Sequence, residues 1–360
     1  MTMATETASG PRGGKPNAKK STGVVPQSVR GRFRNRKTMT AVALLGGFFG
    51  IPWLRWDRGP AAPDQAVLFD FELARFYVFG IELWPQDLLL GAGVMFFAAI
   101  GLFFATSLYG RVWCGFSCPQ TLWTDWFFWI ERMIEGDRNA RMRASADPFG
   151  SGILPRRALK IVIWFLIAAV SAMGLLSFFN DAPTLWAQTF SGEASLGIYI
   201  FGFVFTALTF LLGGFARERV CLHMCPWPRF QAALLDEDSY VVSYQPWRGE
   251  PRGKANRPLR PEIAGFAGGD APAIPLERLV EEAREAAAGR GERGDCIDCD
   301  LCVHVCPTGV DIRKGLQLGC IGCGLCVDAC DGVMAKRDRP SGLIRFDTER
   351  ALAQRARSET

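Results

Sequence analysis

The chain has 360 residues, of which 49% are hydrophobic and 21% charged, with a formal net charge of +5, and its mean hydropathy is +0.10. That length admits two domains, and the apolar share places part of the chain in a membrane rather than in an ordinary soluble domain. The small net charge names no partner; its distribution says more.

Residues 1–37 read as a basic, disordered arm. They are rich in Gly, Pro and Ser and carry Arg12, Lys15, Lys19, Lys20, Arg30, Arg32, Arg34, Arg36 and Lys37 against one acid, Glu6. Such a segment buries too little apolar surface to fold alone. An apolar run follows at once, so the arm is a positive-inside membrane flank and not a nucleic-acid arm. No small-residue cleavage site closes that run, which argues against a removed signal.

Residues 38–236 read as a membrane domain. Four uncharged stretches, 38–54, 88–110, 161–180 and 194–216, approach the ~20 residues that span a bilayer. Trp53, Trp56 and Trp84 flank them as interfacial anchors do. The arm, the 131–160 loop and the segment after Arg217 are Arg-rich, whereas the 181–193 loop holds Asp181 and Glu193 and no base. The positive-inside rule then puts both termini in the cytoplasm. No ionisable residue interrupts the four stretches, which disfavours a pump or secondary transporter.

Two of the stretches end on a C-x3-C-Pro pair. Cys114 and Cys118 precede Pro119; Cys221 and Cys225 precede Pro226. The membrane half therefore reads as a duplicated hairpin, in which four thiols converge on one membrane face. Proline suits the first helical position, so Cys118 and Cys225 are expected at helix N-caps, where thiolate is favoured. After Pro119, the stripe Trp123, Trp126, Phe127 and Ile130 suits a helix lying in the interface and equally a packed one. Thiolates are soft ligands that select Cu(I), zinc or iron–sulfur clusters, and His223 and Met224 add two further donors. Four readings of the pairs stand open: a copper site, a redox-active dithiol, ligands to a further cluster, and structural packing.

Residues 237–292 read as a Gly/Pro/Arg-rich linker with one helix over 275–288. Residues 293–340 hold the remaining cysteines. Cys296, Cys299, Cys302 and Cys306 follow the spacing C-x2-C-x2-C-x3-C-Pro, and Cys320, Cys323, Cys326 and Cys330 repeat it. That is the pattern of a bacterial ferredoxin with two [4Fe–4S] clusters, in which the fourth cysteine of each run ligates the other cluster. Cys296, Cys299, Cys302 and Cys330 are thus expected to hold one cluster, and Cys320, Cys323, Cys326 and Cys306 the other. Zinc sites more often set one C-x2-C pair far from a second. Residues 341–360 read as a tail. The fold class is an α-helical membrane protein, four spans as a duplicated hairpin, fused to a small α+β two-cluster ferredoxin domain.

The chain resembles the FixG/CcoG/RdxB cytochrome c oxidase accessory proteins. The resemblance lies in Trp56-Asp57-Arg58-Gly59-Pro60, Phe79–Gln86, Trp113-Cys114-Gly115, Cys118-Pro119-Gln120-Thr121, Glu135–Arg141, Pro246–Gly253 and the ferredoxin runs. It implies a polyferredoxin of the bacterial inner membrane that serves assembly of a cbb-type haem–copper oxidase. It also implies an oxidoreductase that converts Cu(II) to Cu(I), with copper as substrate at Cys114, Cys118, Cys221 and Cys225, and His223 and Met224 as additional candidate ligands. The implied partners are the lipid bilayer, a cytoplasmic electron donor and a copper carrier or oxidase assembly factors; a homodimer is also allowed. Members of that family continue into another span and a periplasmic immunoglobulin-like domain, whereas this chain stops at Thr360. Asp300 stands where the second run has Gly324. Two rivals stand beside this reading: a NapH-like quinol dehydrogenase subunit, and a non-catalytic assembly scaffold with redox-sensing clusters.

Overall fold

A computed structural model describes residues 24–59, 62–146, 153–250, 252–253 and 294–359. The helix expected over 275–288 lies outside the described residues, as does the arm before Val24. From Val24 to Gly31 the chain is ordered and extended: Gln27 N donates to His304 O at 2.7 Å, and Ser28 Oγ donates to Asp137 at 2.6 Å. Residues 24–37, expected in the disordered arm, are therefore structured.

Helix α1 covers Arg32–Gly50. Its first two turns hold Arg32, Arg34, Arg36 and Lys37, and a 3-10 turn at Ile51–Trp53 with Pro52 follows it. Only residues 38–50 are free of charge. They give about 20 Å of helix against roughly 30 Å of hydrocarbon. Among the described residues, three helices are long and apolar enough to cross a membrane: Pro85–Tyr109, Ile153–Leu176 and Leu196–Ala216. The chain thus has a membrane part, with three such helices where four stretches were expected.

The second of these helices starts earlier than the apolar pattern implies. Helix α6, Ile153–Leu176, includes Arg156, Arg157 and Lys160 before the apolar run begins. It packs along α8, Leu196–Thr209. Helix α2, Leu88–Tyr109, buries no residue of its most apolar stretch. Helix α1 packs on α6 rather than pairing closely with α2, so the first hairpin is open where the second is closed.

One end of the helices is capped by elements that the sequence reading left as loops. Strands β1 (Val67–Asp70), β2 (Arg75–Val78) and β3 (Ile81–Leu83) form an antiparallel sheet, with Val67 opposite Val78 and Phe76 opposite Leu83. Helix α7, Ala182–Ser191, is capped by Asp181. The buried Gln65 amide joins the two loops: it donates to Val67 O at 2.8 Å and Ser177 O at 2.7 Å and accepts from Ala182 N at 2.9 Å. Arg55 pairs with Asp181 at 2.6 Å alongside.

The opposite end is built from α3 (Val112–Phe116), α4 (Pro119–Glu135), α5 (Arg138–Ala146) and α9 (Trp227–Ala233). The α4 stripe is a packing face. Phe127 and Ile130 are buried against Trp164 of α6, Trp123 donates to Ser171 at 2.9 Å, and Phe49 of α1 meets Trp126. Burial between helices leaves Trp129 and Met133 as the outward apolar residues of α4. Glu131, fully buried, is held by Arg141 at 2.6 Å and by Lys160 and Arg217, which gathers α4, α5, α6 and the end of α8 into one ionic knot.

The ferredoxin part is larger than residues 293–340. Strand β4 (Val241–Tyr244), within the expected linker, pairs antiparallel with β5 (Ile344–Asp347), within the expected tail. Val242, Tyr244 and Ile344 share one apolar core with Cys302, Val327 and Met334. Trp247, in the short helix α10 (Pro246–Gly249), packs on Leu352 and Ala356 of α13 (Glu349–Glu359). Residues 241–249 of the expected linker and the expected tail are therefore structured, because both supply apolar cover that the two cysteine runs lack. The runs themselves carry α11 (Leu301–His304) and α12 (Leu325–Ala335).

Candidate electron-transfer site

Each cysteine run begins as a loop that turns into a helix. The turn needs two left-handed residues, at the second and fourth positions after the first cysteine. In the second run these are Gly322 (φ 66) and Gly324 (φ 71); in the first they are Asp298 (φ 52) and Asp300 (φ 56). Glycine adopts this region freely, and aspartate is among the few other residues that tolerate it. The loops curl the cysteines around two cavities. One is lined by Cys296, Cys299, Cys302 and Cys330. The other is lined by Cys306, Cys320, Cys323 and Cys326, with Cys302 at its edge.

Each cavity thus draws three thiols from one run and the last thiol from the other. The remaining walls are largely apolar: Leu301, Val333 and Met334 around the first, Val242, Val310 and Ile312 around the second. Four thiols in an apolar cradle suit a [4Fe–4S] cluster. Among the described residues, no three His, Cys, Asp or Glu side chains are gathered closely enough to hold a single metal ion. Cluster ligands stand farther apart than that, because each binds a separate corner of the cubane.

The two cavities differ in position. The first is outer: Cys299 is exposed, and the half-exposed Asp298 and Asp300 ion-pair with Arg313 at 2.7 and 2.6 Å. The second is inner and faces the membrane part. A Cβ on Gly324 would lie 2.7 Å from the Phe33 ring, and one on Gly322 would lie 3.3 Å from the Arg111 backbone. Aspartate therefore fits the outer loop and not the inner one. Asp328 of α12 accepts from the first N–H groups of α1, Phe33 N at 3.2 Å and Arg34 N at 2.7 Å, and so caps a helix of the other part.

Both C-x3-C-Pro pairs lie at this junction. In the first pair, Cys118 N bonds to Trp113 O at 2.9 Å; in the second, Cys225 N bonds to Val220 O at 2.8 Å. The two bonds close the same five-residue loop at equivalent places, so the motifs match in conformation as well as in sequence. The second pair continues out of π-helical turns at Phe210–Ala216 and Val220–Met224, a geometry that recurs at functional sites. Cys118 is the N-cap of α4, as expected. Cys225 sits one residue before the N-cap of α9, because Pro226 takes that position.

Cys114 is buried and donates to the buried Gln231 Oε1 at 3.0 Å. Cys118, Cys221 and Cys225 all lie within electrostatic range of it. Burial, reinforced by Cys118 and Cys221, pushes the Cys114 thiol up to about 12. Burial, with Cys118 and Cys225, pushes Cys221 up to about 11. His223 and Met224 are exposed. The structure thus draws the four thiols together and leaves those two side chains facing outward.

The membrane thiol segments meet the loop that lines the inner cavity. A Cβ on Gly115 would lie 2.7 Å from Ile321 O and 3.0 Å from Cys323 N and Cα. Cys114 shares an apolar core with Ile321, Cys323 and Leu325. Cys221 lines a small cavity with Pro307, Thr308 and Ile321. Arg111, buried ahead of Cys114, donates to Leu318 O and, at 3.3 Å, to Cys320 O. Sequence reasoning missed Gly115, Arg111, Gln231 and Asp328. The readable signal was the aspartate-for-glycine exchange between the runs, which marks the outer loop as free and the inner one as docked.

Comparison with known proteins agrees with this arrangement. A family described as "4Fe-4S dicluster domain" matches residues 216–263 and 273–349, and one described as "4Fe-4S binding domain" matches residues 92–135. Nitrogen fixation protein FixG of Rhizobium meliloti is 45% identical over 343 residues, 95% of this chain and 60% of FixG. Protein RdxB of Cereibacter sphaeroides is 45% identical and protein RdxA of the same organism 44%, each over 90% of this chain and 62% of the relative. The chain therefore spans about three fifths of the length of these curated relatives. No solved structure matches it significantly. With a shared ferredoxin module and near-continuous similarity along its length, this chain belongs to the FixG/RdxB family of iron–sulfur proteins.

Proposed function

We propose that this membrane iron–sulfur protein is a cupric reductase that supplies Cu(I) for assembly of a cbb-type haem–copper oxidase. With α1 counted as a fourth span, both termini, the ferredoxin part and all twelve cysteines would lie on the cytoplasmic face of the inner membrane. In this reading Cys296, Cys299, Cys302 and Cys330 hold the outer cluster, and Cys306, Cys320, Cys323 and Cys326 the inner one. When bound, each cluster supplies one-electron storage. The protein orders the route: the exposed outer loop receives a soluble donor, and the inner loop touches the membrane thiols.

At those thiols one Cu(II) gains one electron and becomes Cu(I). Thiolates retain the product because they are soft ligands, and two of them suffice for Cu(I), so one C-x3-C pair forms a minimal site. The single observation that carries the proposal is the contact of Gly115 with Ile321 and Cys323, which sets Cys114 against the loop of the inner site. Purified protein with reduced clusters, given Cu(II), should form chelatable Cu(I). Replacing Cys114, Cys118, Cys221 and Cys225 with serine should abolish that while iron content holds; Cu(I) formation at the unchanged rate defeats the assignment.

Quinol oxidation is the second reading. A cavity of about 470 Å³ between α1, α4, α6 and α8 supports it: Leu45, Phe48, Ala172 and Leu212 line it, with Ser117 and Gln120 beside the first thiol pair. A quinol there would release two electrons and two protons and become quinone. Cluster reduction by a short-chain quinol, with no effect of the four serine changes on copper, selects this reading.

A further inference from the structure

We propose that Arg111 is the counter-ion that makes the inner iron–sulfur site the electron sink of the pair. The proposal rests on the reading that the eight ferredoxin cysteines hold two clusters.

The chain builds this position deliberately. Gly110 ends α2 with φ +64, and a Cβ there would lie 2.6 Å from Tyr240 O, so the turn admits glycine alone. It delivers Arg111 into the junction, where the residue is only 7% exposed. The guanidinium donates through Nη1 to Leu318 O and Cys320 O, while its Nε has no partner. Among the described residues no carboxylate pairs with it. A buried cation without a counter-charge is costly. The charged or ionisable groups acting on it are Cys320 and Cys114, one in the inner site and one in the membrane site.

The outer site has the opposite balance. Arg313 lines its cavity, but Asp298, Asp300 and Asp311 bind that one cation at 2.6–2.7 Å, so three acids surround one base. Lys37, deeply buried, lies within electrostatic range of Cys323, although Asp125 offsets it at 3.7 Å. Asp328 stands on α12 between Cys326 and Cys330 and is satisfied by the α1 N–H groups. Local charge, hydrogen bonds and solvent exposure set cluster potentials. Charge and hydrogen bonding favour reduction of the inner site, where Arg111 acts on Cys320 and the Gly322 and Leu325 N–H groups bond to Cys320 and Cys323. Burial opposes it, the Arg111 charge outweighs that cost, and the electron therefore rests next to Cys114.

The test is an EPR-monitored redox titration of the purified full-length chain, loaded with clusters and without copper. In Arg111→Gln one of the two midpoints should fall by at least the equivalent of a tenfold change in electron distribution, about 59 mV for one electron, while the other holds. Arg111→Lys keeps the charge and should keep the midpoint. Two unmoved midpoints in a fully loaded Arg111→Gln protein overturn the proposal. If that variant fails to load iron, Arg111→Lys decides alone: a retained midpoint supports the charge, and a lowered one overturns it. Wild-type protein that holds no clusters would instead defeat the reading underneath. Because copper is absent from the experiment, its outcome is independent of the reductase assignment.

Discussion

Gly115 sets the approach of the membrane thiols to the inner loop, the last step of the proposed route. A methyl group there meets Ile321 O at 2.7 Å and the Cys323 backbone at 3.0 Å, and backbone on both sides has little room to give. Gly115→Ala should therefore part the thiol pair from the inner loop. Misplacement of reacting groups by about 1 Å is worth roughly a hundredfold in rate, so Cu(II) reduction should slow at least tenfold on that scale. Iron content, measured alongside, should stay at wild-type level, since no cluster ligand is touched. A second residue-scale prediction concerns Asp125. It holds Arg34 at 2.8 Å and Lys37 at 3.7 Å. Burial raises its pKa, but Lys37 and Arg34 more than reverse this, and the group ends below its ordinary 3.8. A depressed folded-state pKa contributes stability that is present above the unfolded value and lost as pH falls through the folded one. That loss should begin below about pH 4. Asp125→Asn removes it at every pH and strands a buried lysine, a change that costs on the order of 3 kcal/mol. Thermal unfolding in detergent should show a lower midpoint at pH 7 and a flatter acid limb.

At the scale of elements, the docking of the two parts depends on one helix start and one loop. Asp328 caps α1 from another segment, and Gly31 makes room for it: a Cβ on Gly31 would fall 2.3 Å from the Asp328 carboxyl carbon. Loss of a side-chain cap costs about 1 kcal/mol. Asp328→Ala should accordingly expose the start of α1, with trypsin cutting after Arg30 or Arg32 several times faster than in wild type. The left-handed positions make a paired test. Asp300→Gly loses only a half-exposed ion pair, worth about 0–1 kcal/mol, while Gly324→Asp drives a side chain into the Phe33 ring. The first variant should keep both midpoints of thermal unfolding and iron content near wild type, and the second should lose the inner-site iron. Much of this was legible in the spacing of the cysteines, since the crossed sets of three plus one are what line the two cavities. The elements that were not legible had weak local signals. Strands β1 and β2 carry good strand formers, but they are joined through Ala74 at φ 53 rather than through Asn-Gly or Asp-Gly, so no hairpin signature appears. Strands β4 and β5 lie about a hundred residues apart in the chain and pair only across the folded ferredoxin core. The π-helical turns at Phe210–Ala216 and Val220–Met224 have no composition of their own to announce them, and Arg217 at φ 42 separates them.

The molecule as a whole has two unlike ends. One carries the β1–β3 sheet, α7 and the Arg55–Asp181 pair; the other carries the α1 start, four membrane thiols and the ferredoxin part. Arg132, Arg138, Arg141, Arg156, Arg157, Lys160 and Arg217 lie at the thiol end, and Asp181 and Glu193, on either side of α7, lie at the sheet end. Positive residues remain on the cytoplasmic side of a bilayer, and the cytosol keeps thiols reduced for metal binding. Both arguments support the proposed cytoplasmic placement of the thiol end, and they are independent, one resting on insertion and the other on redox chemistry. Phe71 and Leu73, at the tip of the β1–β2 turn, are 69% and 65% exposed and supply the reference point. A membrane-impermeant maleimide added to intact cells should label a cysteine placed at Leu73 and spare Cys118, Cys225 and Cys299. Opening the membrane should make Cys299 of cluster-free protein reactive as well, because it is exposed. Labelling of Cys118 or Cys225 from outside would reverse the molecule and separate the proposed copper site from any cytoplasmic donor, whereas a silent Leu73→Cys with native-like iron content would place the sheet end, too, away from the periplasm.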